Sequence, residues 1–333
     1  MDTDWLTLLC AAALAFSVMN YVVLDGTDLG VGMLMGLTQS SQQRRAMAVT
    51  ILPVWDANET WLVLGGGGLL ALFPLAYAIL LPALYVPFIV MFLALIARAM
   101  ALEFRDYAAN EQRKRIIDGV LALASLLTGF VQGVVLGTLV QGVAHQEGQY
   151  IGDGRDWLNP FPVFCGLVVV LGYVWLGTCW LYWRTLDELQ QRSDRQARVL
   201  ALVVAALLLV LIAWTAMLQP QYARRLADIR LWLPAGLSLC ALGWVFSKGF
   251  HCRFDFIPLF AALGVFVLAF AVMLVALYPF IIPPDLTLSE AASSPNSQIF
   301  MLVGFAVLIP ITLAYNTFGF RVFSGKVRVA RDD

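Results

Sequence analysis

The sequence has little charge. Only 13% of its 333 residues are Asp, Glu, Lys or Arg, whereas 61% are hydrophobic, and the mean hydropathy is +0.81. Because soluble globular domains carry about 25% charged residues, this composition excludes an ordinary soluble domain and predicts an integral membrane protein. The net charge of −1, with basic residues scattered over short loops, excludes a nucleic-acid-binding surface, so no nucleic-acid partner is expected.

Histidine and paired cysteine are also scarce. The two histidines, His145 and His251, fall in predicted loops, and the five cysteines form no C-x-x-C pair. Proteins that hold a haem or a redox metal usually do so with histidine or thiolate ligands on facing elements. We therefore expect that this chain binds no metal and no haem of its own.

Long apolar runs are what the sequence has in abundance. Nine of them are near or above the roughly 20 residues that cross a bilayer as a helix. No Lys or Arg precedes the first run, whereas a secretory signal has a basic start, so we expect a retained first helix. The sequence predicts an all-α integral membrane protein with about nine transmembrane helices, near residues 6–37, 46–73, 76–101, 116–143, 161–183, 199–218, 229–246, 256–282 and 299–323.

Loop charges predict the orientation of these helices. One side of the membrane receives all but four of the 21 basic residues, the exceptions being Arg155, Arg224, Arg225 and Arg230. Short basic loops stay in the cytoplasm, which places the N-terminus outside and the C-terminus inside. An odd number of helices agrees with this orientation.

Four carboxylates interrupt the first two runs. Asp25 and Asp28 lie three residues apart in the first run, and Asp56 and Glu59 lie three apart in the second, with Asn58 between them. Residues with this spacing share a helix face, so each pair can point into one interior space. An intramembrane charge costs about 2.5–3.5 kcal/mol, and such acids therefore usually serve an ion path or find buried partners.

The depth of the acids favours proton uptake from the cytoplasm. If the second helix starts near Ala46, Asp56 lies roughly 15 Å along it, and all four acids fall between the cytoplasmic face and the membrane centre. Two alternatives stay open. The acids could be structural partners of Arg98, of tryptophan indoles or of backbone donors, or they could form the cation or substrate site of a stand-alone secondary transporter.

Two segments, residues 24–32 (LDGTDLGVG) and 55–61 (WDANETW), resemble subunit II of the cytochrome bd family of ubiquinol oxidases, which includes the cyanide-insensitive oxidases. The resemblance covers essentially the whole chain in the family's order. Its further matches are residues 73–77 (FPLAY), Arg98, residues 103–105 (EFR), Tyr278-Pro279, Pro310, Tyr315 and residues 322–327 (VFSGKV).

The resemblance implies two four-helix bundles and one peripheral helix. The first bundle, with the intramembrane acids, would occupy residues 1–143 and the second 161–282, separated by an extracytoplasmic loop at 144–160. A second such loop at 283–298 would precede the peripheral helix and cytoplasmic tail at 299–333. A faint echo between Tyr21-Val-Val-Leu and Tyr173-Val-Trp-Leu agrees with parallel halves, whereas transporters often have inverted ones. This favours the oxidase subunit over the transporter.

The resemblance further implies a haem-free subunit of an electrogenic, non-pumping quinol:oxygen oxidoreductase in the bacterial inner membrane, active only as a heterodimer. The partner, subunit I, would carry two b-type haems and a third haem of d or b type, and would oxidise quinol. A small accessory subunit, membrane lipids and a bound quinone or lipid complete the expected surroundings.

Carried over residue by residue, the resemblance makes Asp25 and Asp56 the first choices for proton relay, followed by Asp28 and Glu59. Four further motif positions are expected to support the site by hydrogen bonding or packing, namely Trp55, Asn58, Trp61 and Arg98.

The inner end of the third predicted helix offers a cytoplasmic mouth for the proton route at Asp106 and Glu103. The alternative for these residues, and for Arg105, is ordinary surface pairing and snorkelling.

Two patterns concern packing alone. Trp175, Trp180, Tyr182 and Trp183 gather near the inner end of the fifth helix and predict an interfacial aromatic belt. Glycines in the first helix, Gly26, Gly30 and Gly32, and the run at 65–68 predict close approach of neighbouring helices.

Overall fold

The structure is a computed structural model that describes residues 4–323 and 325–328. Ser324 of the closing motif and Arg331 of the basic C-terminal segment lie outside these residues, as do residues 1–3. The described chain is almost entirely helical. Its α-helices are α1 Trp5–Gly36, α2 Ser41–Ile51, α3 Trp55–Leu72, α4 Pro74–Ala83, α5 Tyr85–Phe104, α6 Glu111–Gln141, α7 Pro160–Arg184, α8 Asp187–Leu218, α9 Pro220–Leu226, α10 Ile229–Gly249, α11 Ile257–Leu277, α12 Leu288–Ala291 and α13 Pro295–Val322.

The predicted all-helical membrane fold is confirmed. Within the described residues, eight helices are long and apolar enough to cross a membrane, namely α1, α5, α6, α7, α8, α10, α11 and α13. Helices α3 and α4 pass the same test together but are bent by 120° where they meet, and counted as one span they make nine.

The second predicted helix, residues 46–73, is not a single helix. Helix α2 ends at Ile51 and α3 begins at Trp55, with Pro53 between them. Proline has no backbone N–H, so Pro53 cannot donate to the carbonyl four residues earlier and the hydrogen-bond ladder stops there. The estimate that Asp56 lies roughly 15 Å along a continuous helix is therefore wrong, because Asp56 stands in the first turn of α3.

The third predicted helix, residues 76–101, is also divided. The chain turns at Phe73, Pro74 takes the first position of α4, and a second break at Leu84 separates α4 from α5. Proline is well tolerated in the first turn of a helix, where its missing donor has no helical partner to lose. The bend leaves α5 as the straight membrane-crossing element of this segment.

Short strands form in or next to the two loops that were expected outside the membrane. The second pair begins at Phe280, inside the predicted helix 256–282, which ends instead at Leu277. Strands β1 (His145–Gln146) and β2 (Gln149–Tyr150) pair antiparallel, as do β3 (Phe280–Ile282) and β4 (Leu286–Thr287). The Tyr150 hydroxyl donates to Oδ2 of Asp156 at 2.5 Å. Desolvation, together with this hydrogen bond, raises the pKa of Tyr150 to about 12, so the phenol stays protonated and keeps the first loop folded back on itself.

Helix α1 crosses α7 at glycine positions. A Cβ atom on Gly30 would come within 1.8 Å of the Tyr173 carbonyl oxygen, and one on Gly26 within 2.4 Å of the Tyr173 ring. Gly32 meets α6 in the same way. The close approach predicted for these three glycines is confirmed. In the run at 65–68 it holds only in part, since Gly66 and Gly67 have no such neighbour within 4 Å.

The helices pack on one another both within each half and between the halves. Helix α1 contacts α3 and α6, and α5 contacts α6, while α7 contacts α8 and α10 contacts α11. Helix α13 lies against α3 and α1. Contacts of α7 with α1 and α6 join the halves, which is consistent with two bundles and one peripheral helix.

The aromatic residues near the end of α7 do not form an interfacial belt. Trp175, Trp180 and Tyr182 are buried within the chain. Trp175 packs against Phe246 of α10, and Trp180 against Phe320 of α13, with ring centroids 5.4 and 5.9 Å apart. The prediction is wrong for these three residues, because their rings face neighbouring helices instead of the lipid headgroups, whereas Trp183 is partly exposed.

Candidate functional site

A buried ion cluster forms where α1, α3 and α5 meet. Arg98 of α5 places Nη1 2.8 Å from Oδ1 of Asp25 in α1 and 3.0 Å from Oε1 of Glu59 in α3. The side chains of Arg98 and Asp25 are 0% and 1% exposed, whereas that of Glu59 is 24% exposed. One guanidinium therefore ties together acids from two helices, and we call this group, with Asp28 and Asn58, the Arg98 cluster.

Asp28 and Asn58 complete the Arg98 cluster. Nδ2 of Asn58 donates to Oδ2 of Asp28 at 2.7 Å, and both side chains are buried. Asp28 also interacts electrostatically with Arg98. Three carboxylates thus surround one guanidinium, as the spacing of Asp25 and Asp28 on one face of α1 suggests.

Several buried polar atoms of the cluster have no aligned hydrogen-bond partner among the described residues. They are both carboxylate oxygens of Asp25, Nε and Nη2 of Arg98 and Oδ1 of Asn58, and Nε1 of Trp61, on the same helix as Asn58, also lacks a partner. An unsatisfied buried polar group costs about 1–3 kcal/mol, so such groups commonly bind internal water. The cluster therefore combines close ion pairs with buried donors and acceptors that lack an aligned partner.

Asp56 lies apart from the Arg98 cluster. It is exposed, and it stands one turn before Glu59 in α3. The expectation that both acids point into the same interior space is wrong for Asp56. Side chains three residues apart diverge by about 60° around a helix, and here Glu59 takes the inward direction while Asp56 occupies the open first turn.

The candidates for a cytoplasmic mouth lie beside this open turn. Nε1 of Trp55 donates to Oε1 of the exposed Glu103 at 3.3 Å, and Asp106 is 62% exposed. Exposure falls from Glu103 and Asp56 to Glu59 and then to Asp25. The acids thus form a series from the protein surface to its interior.

A second buried ion cluster was not predicted. Asp118 of α6 accepts from Nε of Arg44 at 2.7 Å and from Nε of Arg105 at 2.5 Å. All three side chains are at most 6% exposed, so the expectation that Arg105 snorkels is wrong. We call this group the Asp118 cluster. The available signal was a carboxylate two residues into the apolar run at 116–143.

Two tyrosines and a glutamine beside the Arg98 cluster also escaped prediction as site residues. The Tyr173 hydroxyl of α7 donates to Oε1 of Gln132 in α6 at 2.6 Å. Nε2 of Gln132 in turn donates to the Tyr21 hydroxyl of α1 at 2.8 Å. The sequence pattern that could have indicated them is the similarity between Tyr21-Val-Val-Leu and Tyr173-Val-Trp-Leu, because both of its tyrosines hydrogen-bond to the Gln132 amide.

The histidines stand away from both clusters. His145 lies in β1 and His251 in the turn after α10. Among the described residues, no group of three or more His, Cys, Asp or Glu side chains is arranged to hold a metal ion.

Comparison with known proteins identifies the family. The sequence model of the family Cytochrome bd terminal oxidase subunit II matches residues 6–323. The chain belongs to this family. The resemblance seen in residues 24–32 and 55–61 is thereby confirmed, and the Arg98 cluster lies in the part of the chain that the family model covers.

Relatives agree with this membership of the cytochrome bd subunit II family, and a solved structure shares the fold. The chain is 30% identical to Cytochrome bd ubiquinol oxidase subunit 2 of Bacillus subtilis, over 92% of this chain and 93% of the relative. It is 27% identical to Cytochrome bd-I ubiquinol oxidase subunit 2 of Escherichia coli K12, over 93% and 92%. The bd oxidase from Geobacillus thermodenitrificans shares the fold, with a TM-score of 0.77 at 17% identity over 96% of this chain and 99% of that chain.

Proposed function

We propose that this chain is the haem-free subunit II of a bd-type quinol:oxygen oxidoreductase in a bacterial inner membrane. It would work as a heterodimer with the haem-bearing subunit I, where quinol is oxidised and oxygen is reduced to water, and it would have no catalytic activity alone. Family membership over residues 6–323 supports the oxidase role. It also argues against a stand-alone transporter, and the apolar runs carry intramembrane acids in the first half only.

The chemical contribution of this chain would be protons. Each electron that reaches oxygen must be matched by a proton, and protons taken from the cytoplasm make the reaction electrogenic without a pump. The observation that carries this proposal is the series of acids with falling exposure from Asp56 to Glu59 and Asp25. Intramembrane acids of this kind commonly form proton relays.

We assign the steps of the route by position. Glu103 and Asp106 lie at the exposed end and would collect protons, and Asp56 would pass them inward. Glu59, which is partly exposed, would transfer the proton to Asp25 and Asp28 beside Arg98. Because like charges in a low-dielectric site disfavour full ionisation, three carboxylates around one guanidinium leave capacity for a proton.

The supporting residues would keep this route in shape. Arg98 would fix Asp25 and Glu59 by ion pairing, and Asn58 would orient Asp28 through its amide. Trp61 is fully buried, packs in a T-shaped pair with Phe16 and would close the wall of the site. Trp55 would hold Glu103 at the mouth.

The remaining assignments follow from sequence and family. The N-terminus would be outside and the C-terminus in the cytoplasm, as the loop charges predict. Residues 1–143 and 161–282 would be the two bundles, with residues 299–333 peripheral to them. The third haem, of d or b type, and a small accessory subunit would belong to the rest of the complex, and a quinone or lipid would occupy a groove on this chain.

Replacement of Asp56 by Asn tests the route. We expect quinol-driven oxygen uptake by the purified complex to fall by about tenfold or more, because a positioned proton donor contributes at least that much, while the haem spectrum stays unchanged. Asp285→Asn is the matched control, since Asp285 is an exposed acid in the loop between β3 and β4. Wild-type uptake by an assembled Asp56→Asn complex would remove Asp56 from the route.

A reduced-minus-oxidised absorption spectrum of the purified chain tests the assignment as a whole. Haem bands that co-purify with a second membrane polypeptide, together with quinol-dependent oxygen uptake, are expected. A stable single chain without haem and without a partner would overturn the oxidase proposal.

A further inference from the structure

Tyr21, Gln132 and Tyr173 connect the two halves of the chain at the Arg98 cluster. Tyr21 is on α1, one turn before Asp25, while Gln132 is on α6 and Tyr173 on α7. The two hydrogen bonds between them, of 2.6 and 2.8 Å, form an unbroken phenol–amide–phenol chain. Both tyrosines are buried. Hydrogen bonds between membrane helices average only about 0.6 kcal/mol, so stability alone is a weak reason for such an arrangement.

The direction of the chain follows from its donors and acceptors. The Tyr173 ring is enclosed by Gly26 of α1 and Gly129 of α6 and is stacked on Phe266. These neighbours present no side-chain acceptor, so the Tyr173 proton goes to the oxygen of the Gln132 amide. The amide nitrogen must then face Tyr21 and donate to it. The proton of Tyr21 is left for a third group.

The third group is the Asp25 carboxylate. Tyr21 and Asp25 are buried residues four positions apart on α1, so they lie on one face of this helix, and the Tyr21 hydroxyl is close enough to interact with the carboxylate. Neither oxygen of Asp25 has an aligned hydrogen bond among the described residues. Arg98 holds one oxygen from the side of α5 at 2.8 Å. Tyr21 is on the same helix as Asp25. Two other charged groups lie near Arg98, namely Asp28 and Glu59, and as ionised acids they cannot donate a hydrogen bond. Tyr21 is therefore a neutral donor that lies close to this carboxylate on the same helix.

We propose that Tyr21 is a positioning residue for Asp25, and that Gln132 and Tyr173 act through it. This inference rests on the proposed proton route. A proton relay needs its carboxylate held in one orientation, because small displacements of a reacting group cost large factors in rate. The glycine contacts lock the Tyr173 ring, the amide transmits that fixed position to Tyr21, and Tyr21 aims Asp25 toward Arg98 and Glu59.

The chain predicts how three variants behave in the assembled complex. Tyr21→Phe keeps the ring and removes the hydroxyl, and we expect oxygen uptake to fall by about tenfold, the effect of one lost hydrogen bond to a charged group. Gln132→Leu should have the same effect, and the double variant should be no slower than either single one, since residues acting in series are not additive. The solvent deuterium isotope effect on uptake should rise in all three.

Tyr222→Phe is the matched control. Tyr222 is also a buried phenol, and its hydroxyl donates to the backbone oxygen of Val140 at 2.7 Å, away from the Arg98 cluster. Its replacement should leave both the uptake rate and the isotope effect unchanged. If Tyr21→Phe lowers the haem content of the complex, Tyr173→Phe, which retains the Tyr21 hydroxyl, decides the matter by the same two measurements.

Asp25→Asn separates the inference from the function on which it rests. Slow uptake in assembled Asp25→Asn, with wild-type uptake in Tyr21→Phe, would overturn the positioning role and leave the route intact. Wild-type uptake in both would overturn the proposed place of Asp25 in the route. Slow uptake in Tyr21→Phe with an unchanged isotope effect, or additive losses in the double variant, would also overturn the inference, because either result indicates separate structural damage.

Discussion

The Arg98 and Asp118 clusters are built from the same residue types in opposite proportions. In the first, one guanidinium meets the carboxylates of Asp25 and Glu59, with Asp28 nearby. In the second, one carboxylate meets two guanidinium groups, and its oxygens accept from Nε of Arg44 and from Nε and Nη2 of Arg105. The first cluster contains orphaned polar atoms, whereas the Asp118 carboxylate is satisfied on both oxygens.

The difference matters because acids and arginines respond differently to burial. A carboxylate that loses its counter-ion can take up a proton and become neutral, whereas an arginine stays charged at any ordinary pH. An acid-rich cluster can therefore exchange protons, and an arginine-rich one cannot. We infer that the Asp118 cluster is a fixed clamp. It ties the connection between α1 and α2 to the turn between α5 and α6. Arg44 also donates to the carbonyls of Thr38 and Gln39 in the first of these segments.

The largest effect is expected for Asp118→Ala. Removal of this carboxylate strands two buried arginines, and breaking even one buried pair costs about 3–5 kcal/mol. We expect loss of the assembled complex, measured as the haem content of the membranes relative to their total protein. Asp106→Ala is the control, because this acid also contacts Arg105, at 3.4 Å, but is 62% exposed. Normal haem content in Asp118→Ala would show that the clamp is dispensable.

A smaller effect is expected for Arg98→Leu. The variant leaves Asp25 and Glu59 without their counter-ion, but both can be neutralised by protonation, which limits the penalty. The complex should be less stable than the wild type. Its thermal stability should recover in part when the membranes are prepared at acidic pH. The same acidification should give Asp118→Ala no benefit, since its stranded groups are arginines.

The double variant Arg98→Leu with Asp25→Asn sharpens this contrast. Removing the charge of Asp25 together with its partner takes away the uncompensated ion, so assembly should exceed that of Arg98→Leu alone. Equal yields of the single and double variants would indicate that packing, and not charge, explains the loss.

The sequence predicts the acids of the Arg98 cluster better than it predicts their surroundings. Apolar runs and the spacing of Asp25 and Asp28 are local signals, and helical periodicity converts them directly into a shared face. The break at Pro53 starts a new helix, on which Glu59 faces Arg98 and Asp56 is exposed. A proline that interrupts a hydrophobic run shows where a helix can stop, but the direction of the following helix depends on tertiary packing.

The Asp118 cluster and the chain from Tyr173 to Tyr21 show why the rest was not predictable. Arg44 and Asp118 are 74 residues apart in sequence, and Gln132 and Tyr173 are 41 apart. No local pattern states which distant residue a side chain will meet. Its position at the end of a predicted helix also made Arg105 resemble a surface residue, because basic residues at helix ends usually snorkel.

The smallest effect is expected for Arg105→Lys, which keeps the charge and changes only its shape. Arg105 reaches both oxygens of Asp118, with Nε at 2.5 Å and Nη2 at 3.3 Å, and a lysine cannot reproduce this fork. The loss should be about 1 kcal/mol, the value of one hydrogen bond, seen as a small drop in the melting temperature of the assembled complex. Arg113→Lys, an exposed position in the first turn of α6, is the matched control. If both variants melt alike, charge alone holds the Asp118 cluster together; if Arg105→Lys melts earlier, the planar geometry of the guanidinium is part of the clamp.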